Sequence, residues 1–303
     1  MSRHHPDSPQ RGRIALALAG ALLASAAATA QTAAPAPASA PPAAAKAPAR
    51  QAAPKAIKPV VEQRAMDLLK ATSARLAAAK SMSFTAVVNE EYPSLYGPPI
   101  AYPVRYDVTM QRPDKLKVLQ SGAGPASEFY YDSKTIMAYA PDANLVAVAD
   151  APPTIEDALR LARDRADIYY PFTDLLVADP YAALTDGVVL AFYIGLSGAV
   201  GGVPTEMLAW ANKDVFLQIW IGAEDKLPRR LRAFYAADPL QLRHEMELSN
   251  WKLDGTMAAE DFTSAKAKAG QPMAFAKPTA PPRKGLNPLA VRKPAPAASQ
   301  PAK

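Results

Sequence analysis

Side chains that could do catalytic chemistry are scarce in this 303-residue sequence. Cysteine is absent, which excludes a thiol nucleophile, a disulfide framework and a zinc site with cysteine ligands. Of the three histidines, His4 and His5 lie at the start of the chain and only His244 lies further along. Because His244 falls on the apolar face of a predicted strand, we expect it to be a core residue. The sequence therefore predicts no metal site and no cofactor.

Residues 195–199 (Gly-Leu-Ser-Gly-Ala) come close to the nucleophile-elbow motif. That motif ends in glycine and leads into a helix, whereas this segment ends in alanine and no helix signal follows. A catalytic triad would also have to recruit His244. The nearby Gly198, Gly201 and Gly202 are typical of a hairpin turn and do not form a phosphate-binding loop.

The remaining candidates are carboxylates, namely Glu90, Glu91, Asp132 and Asp142. They have no histidine or cysteine partner, and solvated strand or turn positions explain them. Two carboxylates can cleave a glycosidic bond by themselves, so that reaction stays formally open. We predict no catalytic residues and a protein that is not an enzyme.

The first 30 residues are typical of a secretory signal peptide. Its positive charges are Arg3, Arg11 and Arg13. An apolar run at residues 14–24 and a small-residue cleavage site at 28–30 follow. An uncleaved membrane anchor is the alternative, but alanine dominates the sequence beyond the apolar run and proline interrupts it. We therefore expect a cleaved signal peptide at 1–30 and a periplasmic protein.

Two further segments, 31–58 and 265–303, are rich in alanine and proline and contain basic but no acidic residues. Such segments bury too little apolar surface to offset the entropy of ordering, so we expect a disordered linker and a disordered tail. The signal peptide, linker and tail carry +2, +4 and +8, so a chain of net charge +6 has a domain of −8 at 59–264. This distribution excludes nucleic acid as a partner and leaves weak attraction of the basic tails to anionic envelope surfaces.

The hydrophobic pattern of the domain changes period several times along the chain. It predicts an amphipathic helix over 59–79, closely spaced strands between 83 and 149, a helical insertion at 154–184 and further strands from 188 to 250. The alternation of apolar with polar positions is most regular in residues 102–110. This order indicates a β-rich α+β domain in which a single curled antiparallel sheet wraps around helices.

Six short motifs occur in order along the domain. They are 112–116 (Arg-Pro-Asp-Lys-Leu), 129–135 (Phe-Tyr-Tyr-Asp-Ser-Lys-Thr), 174–181 (Asp-Leu-Leu-Val-Ala-Asp-Pro-Tyr), 200–204 (Val-Gly-Gly-Val-Pro), 218–221 (Gln-Ile-Trp-Ile) and 227–231 (Leu-Pro-Arg-Arg-Leu). With these motifs the chain resembles a predicted periplasmic family, domain-of-unknown-function family 2092, within the LolA/LolB-like lipoprotein-localisation superfamily. The resemblance covers about residues 66–262. Each motif alone is weak, and it is their order that carries the resemblance.

The resemblance implies a LolA-like fold, an incomplete antiparallel β-barrel with helices across its open side and an apolar cavity between them. In the lipoprotein carriers that cavity holds acyl chains. This chain lacks the acylated cysteine of the outer-membrane receptor, so it looks more like a soluble carrier. No single position matches the lid-latching arginine of the carriers, and the family has no assigned activity.

Two strands are expected to line a ligand cavity, and the insertion is expected to act as its lid. The cavity candidates are Tyr102, Val104, Tyr106, Val108, Met110, Val215, Leu217, Ile219 and Ile221. The lid candidates are Ile155, Leu159, Leu175 and Leu176. The alternatives are that the strand positions form ordinary core and that the insertion is a fixed plug.

We therefore predict a non-enzymatic, carrier-like periplasmic protein whose cavity binds an apolar ligand, a lipid or the acyl chains of a lipoprotein. The alternative is a cell-envelope interaction scaffold with a filled core and tethering basic tails.

Overall fold

The computed structural model describes residues 60–277, in which 12 strands form one open sheet. The strands are β1 (Ser81–Tyr92), β2 (Ile100–Gln111), β3 (Lys115–Gly122), β4 (Ser127–Asp132), β5 (Thr135–Ala140), β6 (Leu145–Asp150), β7 (Leu190–Ser197), β8 (Thr205–Ala211), β9 (Val215–Gly222), β10 (Pro228–Tyr235), β11 (His244–Leu253) and β12 (Gln271–Met273). Their order across the sheet is β12-β6-β5-β4-β3-β2-β1-β11-β10-β9-β8-β7. Neighbours are antiparallel, except that β12 runs parallel to β6.

The helices lie in three places along this part of the chain: before β1, between β6 and β7, and between β11 and β12. They are α1 (Gln63–Ala78), α2 (Ile155–Ala166), α3 (Thr173–Leu176), α4 (Pro180–Thr185) and α5 (Ala265–Lys268). We call α2–α4, which lie between β6 and β7, the helical insertion. Buried side chains of α1 and of the insertion pack in the same clusters as buried strand residues. The predicted incomplete antiparallel barrel with helices across its open side is therefore confirmed, because β7 and β12 are opposite edges of the described sheet.

Helix α1 packs one apolar stripe against two different parts of the sheet. Its first half places Ala65, Leu68 and Leu69 in a cluster with side chains of β7, β8 and β9. Its last turn places Leu76 in the main core with residues of β1–β5. The stripe matches the predicted 3.6-residue period. Val61, within the helix predicted over 59–79, lies before the observed helix, where it bridges to β7 and is half exposed.

Side chains cap the N-termini of two helices of the insertion. Thr154 Oγ1 accepts a hydrogen bond from the backbone N–H of Asp157 at 3.2 Å, and Asp179 Oδ1 accepts one from Ala182 at 2.9 Å. Each satisfies an N–H that the helix itself leaves without a partner. Pro180 occupies the first turn of α4, where its missing N–H costs nothing.

The tight turns of the meander follow from their residue types. Between β4 and β5, Asp132 Oδ1 accepts hydrogen bonds from the N–H groups of Lys134 and Thr135, which closes the predicted turn. At the end of β3, Gly122 has φ of 111°, and a Cβ there would lie 2.8 Å from the carbonyl oxygen of Pro103. Only glycine fits this position without displacing the neighbouring strand.

The folded part continues past the predicted boundary at residue 264. Ala267 of α5 is fully buried against Tyr139 and Val146, and β12 adds a short parallel strand to β6. The alanine- and lysine-rich composition concealed this, because a single small side chain is enough to dock the segment. The expectation that 265–303 is a disordered tail is therefore wrong for its first part, which contains α5 and β12. The expected signal peptide (1–30), the linker (31–58) and the remainder of the tail lie outside the described residues.

Candidate functional site

A cavity of about 480 Å³ lies between the helical insertion and the sheet. We call it the ligand cavity. Its apolar lining comes from β1, β8–β11 and the insertion, and consists of Val88, Pro171, Leu175, Ala183, Leu184, Trp210, Val215, Leu217, Leu231, Ala233 and Met246. Its polar lining consists of Glu90, Tyr169, Asp174, Asn212, Tyr235, His244 and Glu245. Mainly apolar walls with a few polar groups are typical of sites for small molecules.

Strand register explains why the floor of the ligand cavity is apolar. In one row across the sheet, Trp210 of β8 pairs with Leu217 of β9, which pairs with Ala233 of β10. In the adjacent row, Leu231 of β10 pairs with Met246 of β11, which pairs with Val88 of β1. Residues two apart on a strand share a face, so both rows lie on the face that the insertion covers.

The first of these rows ends in polar residues. Ala233 pairs with His244 of β11, and His244 pairs with Glu90 of β1. The ring of Tyr235 stands edge-on to the His244 ring, with centroids 4.9 Å apart. His244 is half buried, so it is a wall residue of the ligand cavity; the prediction that it belongs to the core is wrong. We call Glu90, Tyr169, Asp174, Tyr235 and His244 the polar mouth.

The polar mouth shifts the acidity of several of its own groups. Asp174 reaches solvent through the opening, yet the protein around it raises the pKa of its carboxyl group, because burial disfavours the charged form. Burial is also the main cause that raises the pKa of Tyr169 to about 12. The charges of Asp174 and Glu90 add to the rise in the pKa of both Tyr169 and Tyr235. Both phenols are therefore neutral hydrogen-bonding groups at physiological pH.

The predicted cavity residues fall into four groups. Val215 and Leu217 line the ligand cavity, and Ile219 and Ile221 of the same face lie in the cluster that packs against α1. Tyr106, Val108 and Met110 of β2 are in the main core, and Val104 packs against it. Tyr102, 47% exposed, contacts Tyr92 edge-on near the start of β2. Its strand partner is Glu90 of the polar mouth.

The inner face of β2 is covered by aromatic residues of the insertion. Tyr106 makes edge-on contacts with Tyr170 and Phe172, whose centroids lie 5.9 and 5.4 Å from its own. Phe172 also meets Phe84 of β1 edge-on at 5.6 Å. This aromatic cluster fills the space between the insertion and β2, which is why the ligand cavity opens only beside β8–β11 and β1.

All four predicted lid residues are buried under or within the insertion. Ile155, Leu159, Leu175 and Leu176 are at most 6% exposed. Of these, Leu175 lines the ligand cavity, together with Leu184 of α4. The other three pack in the main core against strand residues. The insertion is therefore closed over the sheet in this structure.

A half-buried arginine fastens the insertion to the rest of the fold. Arg112 donates hydrogen bonds to the carbonyl oxygens of Leu176 and Val177, at 2.9 and 3.0 Å, and to that of Ala79 after α1, at 3.2 Å. The guanidinium thus satisfies carbonyl groups that end two helices. Burial lowers the pKa of Arg112, but an arginine stays protonated at neutral pH.

Sequence patterns missed Tyr169, Asp174, Trp210 and Tyr235 as site residues. Tyr235 alternates with Ala233 and Leu231 on β10, so a period-two pattern could have placed it on the inner face. Tyr169 lies in the loop between α2 and α3, and Asp174 lies in α3, whose four residues are too few for a periodicity to mark a direction. Only the packing of the insertion on the sheet brings these two side chains to the ligand cavity.

The possible catalytic groupings do not assemble. Ser197 is on β7 and His244 on β11, and three strands separate them in the sheet, so the two cannot share a proton. Asp132 is engaged in its turn, and Glu91 is bonded to Arg243. Among residues 60–277, no three histidine or acidic side chains converge closely enough to hold a metal ion.

Other hollows are less suited to an apolar ligand. A larger groove of about 710 Å³ lies past the end of α1, but loop backbone and the polar residues Lys80, Gln111, Arg112 and Asp254 form much of its wall. A hollow of about 350 Å³ lies between β4–β6 and the loop after α2.

Within the described part of the chain, no helix is both long and apolar enough to cross a membrane.

Solved structures similar to this chain include those of MucB, LprF and a LolA superfamily protein. MucB is 14% identical with a TM-score of 0.36, over 67% of this chain and 63% of MucB, so this chain spans less than two thirds of it. LprF from Mycobacterium bovis is 18% identical with a TM-score of 0.41, over 66% of this chain and 98% of that one. A LolA superfamily protein from Nitrosomonas europaea is 11% identical with a TM-score of 0.30, over 66% and 97%.

Sequence comparison identifies the family directly. No curated protein matches the sequence. The sequence profile of a family described as predicted periplasmic protein (DUF2092) matches residues 65–276, which is most of the described domain and includes α5 and β12. The six ordered motifs that resemble this family all lie within that match. The chain therefore belongs to the DUF2092 family of predicted periplasmic proteins.

Proposed function

We propose that this protein is a periplasmic, non-enzymatic carrier that holds a lipid or the acyl chain of a lipoprotein in the ligand cavity. The observation that carries the proposal is the cavity of about 480 Å³ with apolar walls on the covered face of an open sheet. The family description supports the compartment, and the expected signal peptide agrees with it.

The ligand cavity has the size of one long alkyl chain. At about 30 Å³ per water-sized group, it takes about 16 such groups, which corresponds to one acyl chain and not to two. Transfer of that chain from water onto Leu217, Leu231 and Met246 is favourable by about 25 cal/mol per Å² of apolar surface buried. No covalent step and no cofactor are needed for such binding.

In this proposal the helical insertion controls access. Leu175 is the lid residue that contacts the ligand, while Ile155, Leu159 and Leu176 hold the insertion on the core. Lifting the insertion would also expose Tyr106, Val108 and Met110 under Tyr170 and Phe172. The predicted β2 residues would then become part of a larger cavity. If the insertion were a fixed plug, these residues would stay covered.

Native mass spectrometry of the protein purified from its own periplasm tests the proposal. We expect a population heavier than the mature chain by the mass of a lipid, which disappears after denaturation. An Ala233→Phe variant, in which a ring occupies the ligand cavity, should be isolated without that adduct. A wild-type protein that is uniformly free of lipid would overturn the proposal.

The basic tails are proposed to add only weak, salt-sensitive attraction to anionic envelope surfaces. An experiment with a chain trimmed to residues 60–277 distinguishes the proposed carrier function from that of an envelope scaffold. The carrier keeps its lipid after trimming but binds anionic vesicles less well. A scaffold would lose its protein partners on trimming and carry no lipid in either form.

A further inference from the structure

We propose that the ligand cavity selects an amphiphile with a cationic head, a primary amine or a quaternary ammonium on a single alkyl chain. The inference rests on the proposed carrier function and adds the charge of the head. It follows from the charges and rings that surround the opening of an otherwise apolar cavity.

The charged side chains around the ligand cavity are all acidic. Its lining includes Glu90, Asp174 and Glu245, and among the described residues that line it there is no lysine or arginine. Glu245 alternates on β11 with His244 and Met246, which face the cavity, so its carboxylate lies on the outer face of the sheet, where it forms ion pairs with Arg230 at 2.7 Å and with Arg232 at 3.4 Å. Within residues 60–277, no cation lies within 4 Å of Glu90 or Asp174.

Strand alternation directs the nearby arginines away from the cavity. Arg230 and Arg232 of β10 alternate with Leu231 and Ala233, which line the cavity, so the two arginines lie on the opposite face of the sheet. Next to Glu90, the carboxylate of Glu91 is bonded to Arg243. Carboxylates that point outward are thus paired with arginine, while the two at the mouth are left for a ligand.

Aromatic rings stand beside these two carboxylates. Tyr169 and Tyr235 both line the opening, and the charges of Glu90 and Asp174 act on the phenols of both. Glu90 itself accepts a hydrogen bond from Tyr92 at 2.8 Å and lies opposite His244 in the β1–β11 pair. Aromatic faces together with carboxylates attract ammonium groups, and quaternary ammonium is held by rings in the same way.

The arrangement orients the ligand. The alkyl chain lies against Trp210, Leu217 and Leu231, and the head remains at the polar mouth, where solvent enters. A sulfate, phosphate or carboxylate head would meet two carboxylates in surroundings that already disfavour negative charge. A cationic head gains from both carboxylates, and the gain is largest at low ionic strength.

A series of ligands with one chain length and different heads tests the inference. Isothermal titration calorimetry at low salt, below the micelle concentrations, would compare dodecyltrimethylammonium, dodecanol and dodecyl sulfate on the full-length mature protein. We expect the ammonium to bind at least tenfold more tightly than the sulfate, with the uncharged alcohol between them. The Glu90→Gln, Asp174→Asn double variant should lose at least tenfold in ammonium affinity and keep its affinity for the alcohol.

The control variant is Glu247→Gln, which removes a carboxylate from the outer face of β11 and should leave all three affinities unchanged. If no chain binds, the proposed carrier function fails. If the alkyl chains bind but dodecyl sulfate binds as tightly as dodecyltrimethylammonium or more tightly, the proposed carrier function stands. The inference that the head is cationic is then overturned. An ammonium preference that survives in the double variant overturns the assignment to Glu90 and Asp174.

Discussion

Arg112 at the end of the second strand donates through Nη1 to the carbonyl oxygen of Leu176, 2.9 Å away, at the end of α3. Through its other nitrogen atoms the same guanidinium reaches Val177 and, behind α1, Ala79. One side chain thus ties the sheet, the first helix and the insertion together. Arg112 therefore adds a polar fastening to the apolar packing that holds the insertion on the core.

Replacing Arg112 with methionine should destabilise the fold and loosen the insertion. Three carbonyl groups lose a charged donor, and such a loss costs about 2–3 kcal/mol in the free energy of unfolding. Urea denaturation measures this change. Arg160→Met on α2 is the matched control, because it breaks an exposed ion pair with Asp157 that is worth less than about 1 kcal/mol. Equal effects of the two variants would contradict the role given to Arg112.

Filling the ligand cavity should separate binding from stability. Ala233→Phe places a ring among Leu217, Leu231 and Trp210, where there is space for it, so we expect at least a tenfold loss in alkyl-chain affinity. The free energy of unfolding should change by less than about 1 kcal/mol, below the usual cost of overpacking a dense core. Val148→Phe on β6, a half-exposed position, is the control and should keep the affinity. Unchanged affinity in Ala233→Phe would place the ligand elsewhere.

Truncating a side chain of α1 should show that this helix is part of the core. Leu76 is fully buried in the main core, so Leu76→Ala should lower the free energy of unfolding by about 2–5 kcal/mol. Leu95 in the loop after β1 is 91% exposed, and Leu95→Ala should cost less than about 0.5 kcal/mol. Chemical denaturation of both variants gives the comparison. A small loss in Leu76→Ala would mean that α1 is only loosely attached.

Asp174 should destabilise the folded protein at neutral pH. Burial raises the pKa of its carboxyl group, so the folded state favours the neutral form and is stabilised as the pH falls through that raised pKa. Asp174→Asn should therefore raise the melting temperature at pH 7 by up to about 2 °C, a small rise because solvent at the mouth screens the charge. The gain should vanish near pH 3, below the pKa of an unfolded aspartate, about 3.9.

Melting curves of wild-type protein and variant at both pH values provide the measurement. The other titratable groups at the mouth, namely Glu90, His244, Tyr169 and Tyr235, are common to both proteins and cancel in the difference. Asp164→Asn on the exposed side of α2 is the control and should show no such dependence. A lower melting temperature for Asp174→Asn at pH 7 would mean that the carboxylate has a stabilising partner.

The position of the domain boundary can be tested by truncation. A chain that ends after Lys277 retains α5 and β12, whereas one that ends after Ser264 exposes Tyr139 and Val146 beside the site of Ala267. We expect the shorter chain to unfold at a lower urea concentration, because the lost apolar burial lowers its free energy of unfolding by about 1–3 kcal/mol. Identical midpoints would restore the boundary at 264.

The sequence by itself determined the order and type of the elements. The alternation in 102–110, the stripe of α1 and the caps at Thr154 and Asp179 are local signals, and the structure confirms them. Together with the six ordered motifs they identified the family and the open sheet. Local periodicity also placed Val215 and Leu217 on the inner face, because residues two apart on a strand share a side.

Only the tertiary structure decided which inner positions are core and which line the ligand cavity. Tyr106 and Val215 carry the same alternation, yet Tyr170 and Phe172 cover Tyr106, whereas the space beside Val215 is open. The loop that holds Tyr169 and the single turn of α3 that holds Asp174 are too short for a period that predicts where these side chains lie. Strand order decided the rest, because it sets His244 beside Glu90 and places three strands between His244 and Ser197. Such neighbours are distant in sequence, and only long-range pairing of the strands brings them together or keeps them apart.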